Sequence, residues 1–189
     1  MPALSIMIKP ASALCNLRCA YCFYRDVAEN RTQNEYGIMT RETEQALIEK
    51  ALDFADGAPV SFVFQGGEPT LAGLDYFKNF VDDLKKRNKK NSPVFLSIQT
   101  NGTLINDEWA AFLANNNFLT GLSLDGDFDT NRFRKDESEK NAFYKILKAA
   151  EILKKHKAQF NILSVLTGYS AKRGKEIYRF FKSEGFQNI

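Results

Sequence analysis

Three cysteines within eight residues are the side chains of this sequence best suited to chemistry. Cys15, Cys19 and Cys22 are all the cysteines it contains, and they follow the spacing C-x3-C-x2-C. A structural zinc site needs four protein ligands. The single histidine, His156, lies far away in the sequence among lysines, as is typical of a helix C-terminus. A disulfide would leave one thiol over and is rare in the cytosol.

An iron–sulfur cluster makes better use of three thiolates on one short segment. A cubane [4Fe–4S] cluster normally takes four cysteine ligands. Three ligands leave one iron open to an outside chelator, just as a catalytic zinc keeps one position open. Cysteines buried only for packing are usually scattered along a chain, whereas these share one segment. We therefore predict an open-site [4Fe–4S] cluster held by Cys15, Cys19 and Cys22.

The segments that position such a site show a regular alternation of apolar runs and amphipathic stretches. The strand candidates are Leu4–Lys9, Val60–Phe64, Val94–Ile98, Leu119–Leu124 and Phe160–Leu166. Helices are predicted from about Thr40 to Ala55 with an apolar stripe of Leu47, Ala51 and Phe54, from Leu74 to Arg87, after a cap at Asn106, from Ser138, and from about Ser170 to Ser183 before Gly185.

A strand followed by a helix, repeated five times, predicts an α/β fold of parallel βα units with right-handed crossovers. Because the apolar runs are nearly continuous, the strands are expected to be buried on both faces. The final residues, GFQNI, are where a sixth strand would begin. The chain length of 189 residues predicts a single domain over residues 1–189.

The loops that follow the strands carry most of the remaining polar and glycine residues. In parallel βα folds such loops gather at one edge, where functional groups collect. After the cysteine segment come QGGEPT (65–70), QTNGT (99–103), DGDFDTNRFR (125–134) and TGYS (167–170). We expect these five loops to converge on one rim.

The charge balance and hydropathy of the sequence limit the kinds of molecule that the protein is expected to bind. The 26 Lys and Arg residues nearly balance the 23 Asp and Glu residues, so the net charge of +3 is too small to indicate nucleic-acid binding. No run of apolar residues is long enough to span a membrane, and the first residues do not resemble a secretion signal. The sequence thus predicts a cytoplasmic protein that binds neither nucleic acid nor membrane.

The cysteine spacing after a first strand, with Tyr21 just before the third cysteine, resembles the radical S-adenosylmethionine (SAM) superfamily. This resemblance implies a partial (βα)6 TIM-like barrel with about five βα units present. It also implies that the amino and carboxylate groups of SAM chelate the open iron. Reduction of the cluster then cleaves SAM to a 5′-deoxyadenosyl radical, which takes a hydrogen atom from the substrate.

The resemblance also assigns cofactor contacts to individual residues. Tyr21 is implied to contact the cofactor, the GGEP residues Gly66, Gly67 and Glu68 the amino group at the methionine end of SAM, Ser123 the ribose, and Arg134 the SAM carboxylate. Each has a structural alternative: Glu68 can cap a helix that starts at Pro69, Ser123 can be a small strand residue, and Arg134 can be a solvated arginine. The family usually has a histidine where Thr130 stands, and this loop is one residue shorter than the family's, so Arg132 is an alternative to Arg134.

More widely, the chain resembles the anaerobic sulfatase-maturating enzymes, a SPASM-type subgroup. The matching stretches include IKPASALCNLRCAYCFY, FQGGEPTLAGLDYF, SIQTNGTLI, GLSLDG and FNILSVLT. The subgroup implies oxidation of a Cys or Ser of a sulfatase to Cα-formylglycine, with a flavodoxin- or ferredoxin-type reductant. Tyr24 and Gln65 are implied near the substrate, although each can instead pack or bond within the fold.

The resemblance further implies auxiliary clusters in a C-terminal domain and a carboxylate base on a later barrel strand, both beyond residue 189. Two alternatives to a sulfatase-maturating enzyme stay open at this stage. One is another peptide-modifying radical SAM maturase with the same kind of auxiliary domain. The other is a metal or electron-transfer module without catalysis.

Overall fold

Strands and helices follow one another in the predicted order, with one additional short helix, Phe23–Glu29, that was not predicted. The computed structural model describes residues 3–189, so residues 1 and 2 of the predicted domain lie outside the described residues. The strands are β1 (Leu4–Ile8), β2 (Val60–Phe64), β3 (Val94–Thr100), β4 (Phe118–Ser123) and β5 (Phe160–Leu163). The helices are α1 (Phe23–Glu29), α2 (Arg41–Ala55), α3 (Leu74–Arg87), α4 (Asp107–Asn115), α5 (Phe143–Lys155) and α6 (Gly174–Ser183), with short 3₁₀ turns at Pro69–Ala72, Thr130–Phe133 and Ser170–Arg173.

The described chain divides into two compact units. The first contains the residues up to Leu14 together with Tyr24–Ile98, and the second contains Cys15–Phe23 together with Gln99–Ile189. The cysteine segment therefore belongs with the second half of the chain, although it follows β1 in sequence. No helix described in either unit has both the length and the apolar character needed to cross a membrane.

In the first unit, β2 pairs in parallel with both β1 and β3, with Ile8 opposite Phe64 and Phe64 opposite Ile98. Burial alternates along β2, so one face is fully packed and the other is partly accessible. This differs from the predicted burial on both faces. The packed face meets α3 through edge-to-face aromatic pairs, in which the ring centroids of Phe62 and Phe64 lie 4.9 to 5.3 Å from those of Phe77 and Phe80.

Helix α2 begins after Thr40, whose side chain accepts a hydrogen bond from the N–H of Thr43 and so caps the helix. The predicted apolar stripe is wrong in part, because Phe54 is 55% exposed. The buried face instead consists of Glu44, Ile48, Ala51, Leu52 and Ala55. The Glu44 carboxylate occupies one of these buried positions. The buried stripe of α2 is therefore shifted by one residue from the stripe that its apolar residues alone predict.

The buried carboxylate of Glu44 lies between unlike charges. Glu44 is 1% exposed, and its Oε1 lies 3.3 Å from Nη1 of Arg41. Asp83 binds the Nη2 of the same guanidinium at 2.9 Å. Burial raises the pKa of Glu44 to about 7, although Arg41 acts in the opposite direction.

We expect the free energy of unfolding to fall as pH rises from about 4.5 to about 7. In this window the folded protein still holds a proton on Glu44 that the unfolded chain has already released, so raising the pH favours the unfolded state. Glu44→Gln should remove this slope and add on the order of 2 kcal/mol to stability at about pH 8, less whatever the lost contact with Arg41 contributes. Urea unfolding at about pH 5 and about pH 8 measures it. Exposed Glu49→Gln, on the same helix, is the control and should keep the slope; a slope unchanged in Glu44→Gln would contradict the assignment.

In the second unit, β4 and β5 pair in parallel with Leu122 opposite Ile162. The cap of α4 is as predicted, since the side-chain oxygen of Asn106 accepts from the N–H of Trp109 at 2.9 Å. Strand β5 ends at Leu163, three residues earlier than predicted. Near the last described residue, the carbonyl of Asn188 accepts from the N–H of Ile162 at 2.9 Å, but residues 186–189 form no strand.

The prediction that Ser138 opens a helix is wrong. The carboxylate of Asp136 accepts hydrogen bonds from the N–H groups of Ser138 and Lys140, which folds this stretch into a turn. Helix α5 begins only at Phe143, whose N–H donates to the side chain of Asn141.

The last helix ends before Gly185, as predicted. This glycine follows α6 and has a positive φ of 71°, as expected for a glycine that ends a helix.

Candidate functional site

The cysteine loop is held by backbone hydrogen bonds to a segment more than a hundred residues later. The N–H of Arg18 donates to the carbonyl of Lys135 at 2.6 Å, and the N–H of Ala20 donates to the carbonyl of Phe133 at 3.0 Å. Both bonds fall between the cysteines. The loop is therefore fixed in the second unit on either side of Cys19.

Side-chain amides brace the start of the same loop. Asn16 donates to the hydroxyl of Thr103 at 2.8 Å, and Asn101 donates to the side-chain oxygen of Asn16 at 2.9 Å. The sulfur of Cys15 accepts from the N–H of Leu17 at 3.4 Å and from the Asn101 amide at 3.9 Å. Such hydrogen bonds stabilise a thiolate and tune the potential of an iron–sulfur cluster.

All three cysteines are reduced thiols of intermediate exposure. Across residues 3–189, no group of three or more His, Cys, Asp or Glu side chains is arranged around a point that could hold one metal ion. A cubane cluster does not need its ligands to surround a single point, because each thiolate binds a different iron. The N–H of Cys22 donates to the carbonyl of Cys19 at 3.1 Å, so the second and third thiols lie one turn apart.

A buried charged network stands beside Cys19. Arg134 is 6% exposed and Asp125 is 1% exposed, and Nη2 of Arg134 donates to Oδ1 of Asp125 at 2.9 Å. The hydroxyl of Tyr21 donates to the other oxygen of Asp125, and the guanidinium lies 5.4 Å from the centre of the Tyr21 ring. Burial raises the pKa of the Cys19 thiol, and Arg134 opposes that increase.

One atom of this network has no partner. The Nε–H of Arg134 is buried and finds no hydrogen-bond acceptor among the described residues. Leaving such a charged donor unsatisfied costs on the order of 1–3 kcal/mol or more. An acidic group placed at this point would satisfy it with a short charge-assisted bond.

Arg132, the alternative to Arg134, occupies a different environment. Its side chain is half exposed, its Nη1 lies 3.5 Å from Asp129, and its guanidinium lies over the ring of Tyr169. Thr130, at the position where the family usually has histidine, is buried and donates to the side chain of Asp127 at 2.8 Å. Of the two arginines, it is Arg134 that lies in the network beside Cys19.

Ser123 ends β4 and is engaged on one side. The amide of Gln99 donates to its Oγ at 2.8 Å, so the serine hydroxyl hydrogen is left to donate elsewhere. Asp125 and Asn101 were not among the predicted site residues. An acidic residue directly after a buried strand, in LSLDG, is the signal that could have indicated Asp125.

In the first unit, the glycine motif after β2 approaches its own chain closely. Gly67 has a φ of +57°, and a Cβ there would overlap the carbonyl oxygen of Leu14 and lie 2.9 Å from that of Ser12. The N–H of Glu68 donates to the same Leu14 carbonyl at 2.7 Å. The glycine is thus required for packing the segment just before the cysteines.

Glu68 takes the capping role foreseen as its alternative. Its Oε1 accepts from both the N–H of Thr70 at 3.1 Å and the Thr70 hydroxyl at 2.6 Å, with Pro69 in the first turn. Gln65 continues the strand pairing by donating from its N–H to the carbonyl of Ile8 at 3.0 Å. The ammonium of Lys9 lies 4.5 Å from the centre of the Tyr24 ring.

Comparison with known proteins decides the family. The sequence model described as the radical SAM superfamily matches residues 10–181. The chain belongs to the radical SAM superfamily. Its α/β arrangement of five parallel strands confirms the predicted fold class, since it matches the corresponding radical SAM barrel portion of a solved structure described as native anSMEcpe with bound AdoMet and Cp18Cys peptide. That match has a TM-score of 0.91 at 45% identity, covering 99% of this chain and 50% of the other.

Several of the curated proteins that this chain resembles are sulfatase-maturating enzymes. The cysteine-type anaerobic sulfatase-maturating enzyme of Clostridium perfringens (strain 13 / Type A) is 47% identical over 99% of this chain and 50% of its own length. The serine-type enzyme of Bacteroides thetaiotaomicron is 33% identical over 95% of this chain and 43% of its own length. The chain spans about half the length of the curated relatives it matches.

Proposed function

We propose that this chain is the cluster- and SAM-binding part of an anaerobic sulfatase-maturating enzyme, which oxidises a Cys or Ser of a sulfatase to Cα-formylglycine. The observation that carries the proposal is the buried Nε–H of Arg134, a cationic donor without an acceptor beside a loop of three reduced thiols. A cofactor that carries a carboxylate and also binds a cluster meets both needs. The 47% identity to a cysteine-type maturating enzyme supports the substrate class.

Cys15, Cys19 and Cys22 would hold a [4Fe–4S] cluster. The donor set fits, because the three thiols share one loop that is braced on both sides of Cys19, and Cys15 already accepts two hydrogen bonds at sulfur. Three protein thiolates leave one iron for the amino and carboxylate groups of SAM. Burial raises the pKa of the Cys19 thiol, and the nearby Arg134 guanidinium partly offsets that rise.

Arg134 would bind the SAM carboxylate through the Nε–H, and Ser123 would donate its hydroxyl hydrogen to the ribose. Gly66, Gly67 and Glu68 would contact the methionine end of SAM through backbone groups, since the Glu68 carboxylate accepts from Thr70. Tyr21 would line the cofactor site with its ring, because its hydroxyl is directed to Asp125. With both groups bound, reductive cleavage of SAM supplies the oxidising radical that takes a hydrogen atom from the substrate Cβ.

Tyr24 and Gln65 would contact the substrate residue. A flavodoxin- or ferredoxin-type protein would deliver the electron, and the reaction would take place in the cytoplasm. We also propose that residues 1–189 are the radical SAM portion of the enzyme, and that the catalytic base and auxiliary clusters come from sequence outside it.

Ser123→Ala is expected to weaken SAM binding by about three- to tenfold, because one neutral hydrogen bond is lost while the Gln99 amide loses its acceptor. Isothermal titration of the anaerobically reconstituted chain with SAM measures this. The control is Thr103→Ser, which keeps a hydroxyl for Asn16 and should leave SAM affinity unchanged. An unchanged dissociation constant in Ser123→Ala would remove Ser123 from the cofactor site.

The proposal is tested by anaerobic reconstitution with iron and sulfide, followed by EPR of the reduced protein with and without SAM. A spectrum altered by SAM is expected, and a spectrum that SAM leaves unchanged would overturn the open-iron assignment. Because the catalytic base and auxiliary clusters are proposed to lie outside residues 1–189, the full-length enzyme that contains this chain is then reduced and incubated with SAM and a C-x-P-x-R peptide or its serine counterpart. Formylglycine in the peptide supports sulfatase maturation, whereas SAM cleavage without peptide oxidation would contradict that assignment.

A further inference from the structure

Three separate segments of the second unit meet at one buried carboxylate, that of Asp125. They are the cysteine loop through Tyr21, the 3₁₀ turn after β4 through Arg134, and the stretch after β5 through Val165. We propose that Asp125 is a positioning residue, which holds the Arg134 guanidinium so that Nε–H faces the SAM carboxylate. This inference rests on the proposed function.

The hydrogen bonds explain why Asp125 acts through Arg134. Its Oδ1 accepts from Nη2 of Arg134 and from the N–H of Val165, both at 2.9 Å, and its Oδ2 accepts from the Tyr21 hydroxyl. Three of roughly four acceptor positions of the carboxylate are therefore used within the protein. A residue so engaged holds other groups in place.

The direction of the guanidinium follows from these contacts. A guanidinium is a rigid planar fork, so fixing one Nη fixes the direction of every other N–H. Asp125 binds Nη2, the Tyr21 ring lies against the guanidinium, and Nε–H is the donor left without an acceptor. Asp125 also provides the opposite charge that a buried arginine needs in order to remain paired before an anion binds.

The same loop contains a second aspartate, Asp129, with contacts similar to those of Asp125 but exposed to solvent. Asp129 accepts from the hydroxyl of Tyr169 and from Nη1 of Arg173, so it too joins a tyrosine and an arginine. Its side chain is 47% exposed, and the arginine it binds has no orphaned Nε–H, because that atom donates to Glu176. Asp129→Asn is therefore the control for Asp125→Asn.

A double-mutant cycle tests the inference. SAM dissociation constants are measured on the anaerobically reconstituted wild-type chain, Asp125→Asn, Arg134→Gln and the double variant, with iron content and thermal unfolding recorded for each. We expect each single substitution to weaken SAM binding by about tenfold or more. The double variant should bind no more weakly than Arg134→Gln, since Asp125 has nothing left to position. Asp129→Asn should leave the dissociation constant within about twofold.

Other outcomes would overturn the inference. If Asp125→Asn weakens SAM binding by the same factor with and without Arg134, Asp125 has a general structural role; if Asp125→Asn leaves affinity unchanged, it has no role in binding. In either case the proposed function stands. If the wild type does not bind SAM, or Arg134→Gln binds it normally, the assignment of Arg134 falls and this inference with it. Should Asp125→Asn not fold, Asp125→Glu takes its place in the cycle, because it keeps the charge and displaces the guanidinium.

A spectroscopic signature separates positioning from loss of stability. At saturating SAM, the SAM-induced change in the EPR spectrum of the reduced cluster should be altered in Asp125→Asn and preserved in Asp129→Asn. A change of the same form and size in both variants and in the wild type would contradict the positioning role.

Discussion

Replacing Cys19 by alanine is expected to abolish cluster binding, so that iron content after anaerobic reconstitution falls to near zero and the EPR signal of the reduced protein disappears. Three thiolates bind three of the four irons and leave one open for SAM. Removing one thiolate leaves two irons without protein ligands. SAM binding should be lost together with the cluster. Iron analysis, EPR and SAM titration of the same preparation measure all three effects.

The loss must come from the ligand and not from misfolding. Cys19 is only partly buried, so the unloaded Cys19→Ala chain should unfold within about 1 kcal/mol of the unloaded wild type. Ala20→Ser in the same loop is the control, because the exposed Ala20 contributes its backbone N–H to Phe133 and no ligand. A normal iron content in Cys19→Ala would show that the cluster ligands have been misassigned.

Gly67→Ala is expected to have the largest effect on stability, a loss of roughly 3 kcal/mol or more of unfolding free energy. A left-handed backbone costs an alanine about 1–2 kcal/mol, and overpacking adds about 1–3 kcal/mol. The new Cβ would overlap the carbonyl oxygen of Leu14, which is backbone and cannot rotate away. SAM affinity should fall as well, because the displaced segment leads directly into Cys15.

Two other glycines separate the causes of this loss. Gly37 has a φ of +74° with nothing within 4 Å of an added Cβ, so Gly37→Ala should lose only the backbone part, about 1 kcal/mol. At Gly66 an added Cβ meets only the flexible side chain of Lys9, and an intermediate loss is expected. Urea unfolding of the three variants should give the order Gly67, Gly66, Gly37; a loss in Gly67→Ala no larger than in Gly37→Ala would contradict the packing role.

Much of the fold could be predicted from the sequence because the signals were local. The bounds of β2 and α3 follow from apolar periodicity, and the Asn106 cap follows from one side chain and its neighbours. The prediction failed at two places for different reasons. Asp136 folds the region of Ser138 into a turn, where a polar side chain overrides the apolar pattern. Helix α1 was missed because it buries only Ala28 and so offers no apolar stripe to detect.

The candidate site was predictable to the extent that its chemistry lies in one segment. The cysteine spacing predicts the cluster ligands without any knowledge of the fold, because three thiols on one loop have few other uses. Asp125 could not be found in this way. Its role depends on Tyr21, Arg134 and Val165, which are brought together only by the folded second unit.

The hydrogen bonds of the cysteine loop also set an order of events during synthesis. A ribosome releases Cys15 to Cys22 long before it has made Phe133 and Lys135, whose carbonyls fix Ala20 and Arg18. At roughly 5–20 residues per second, these partners emerge several seconds or more after the thiols. Until then the nascent loop has no defined geometry to offer an iron–sulfur scaffold protein. If these thiols hold the cluster, we expect cluster delivery only after translation has passed residue 135, with the thiols kept reduced during that interval.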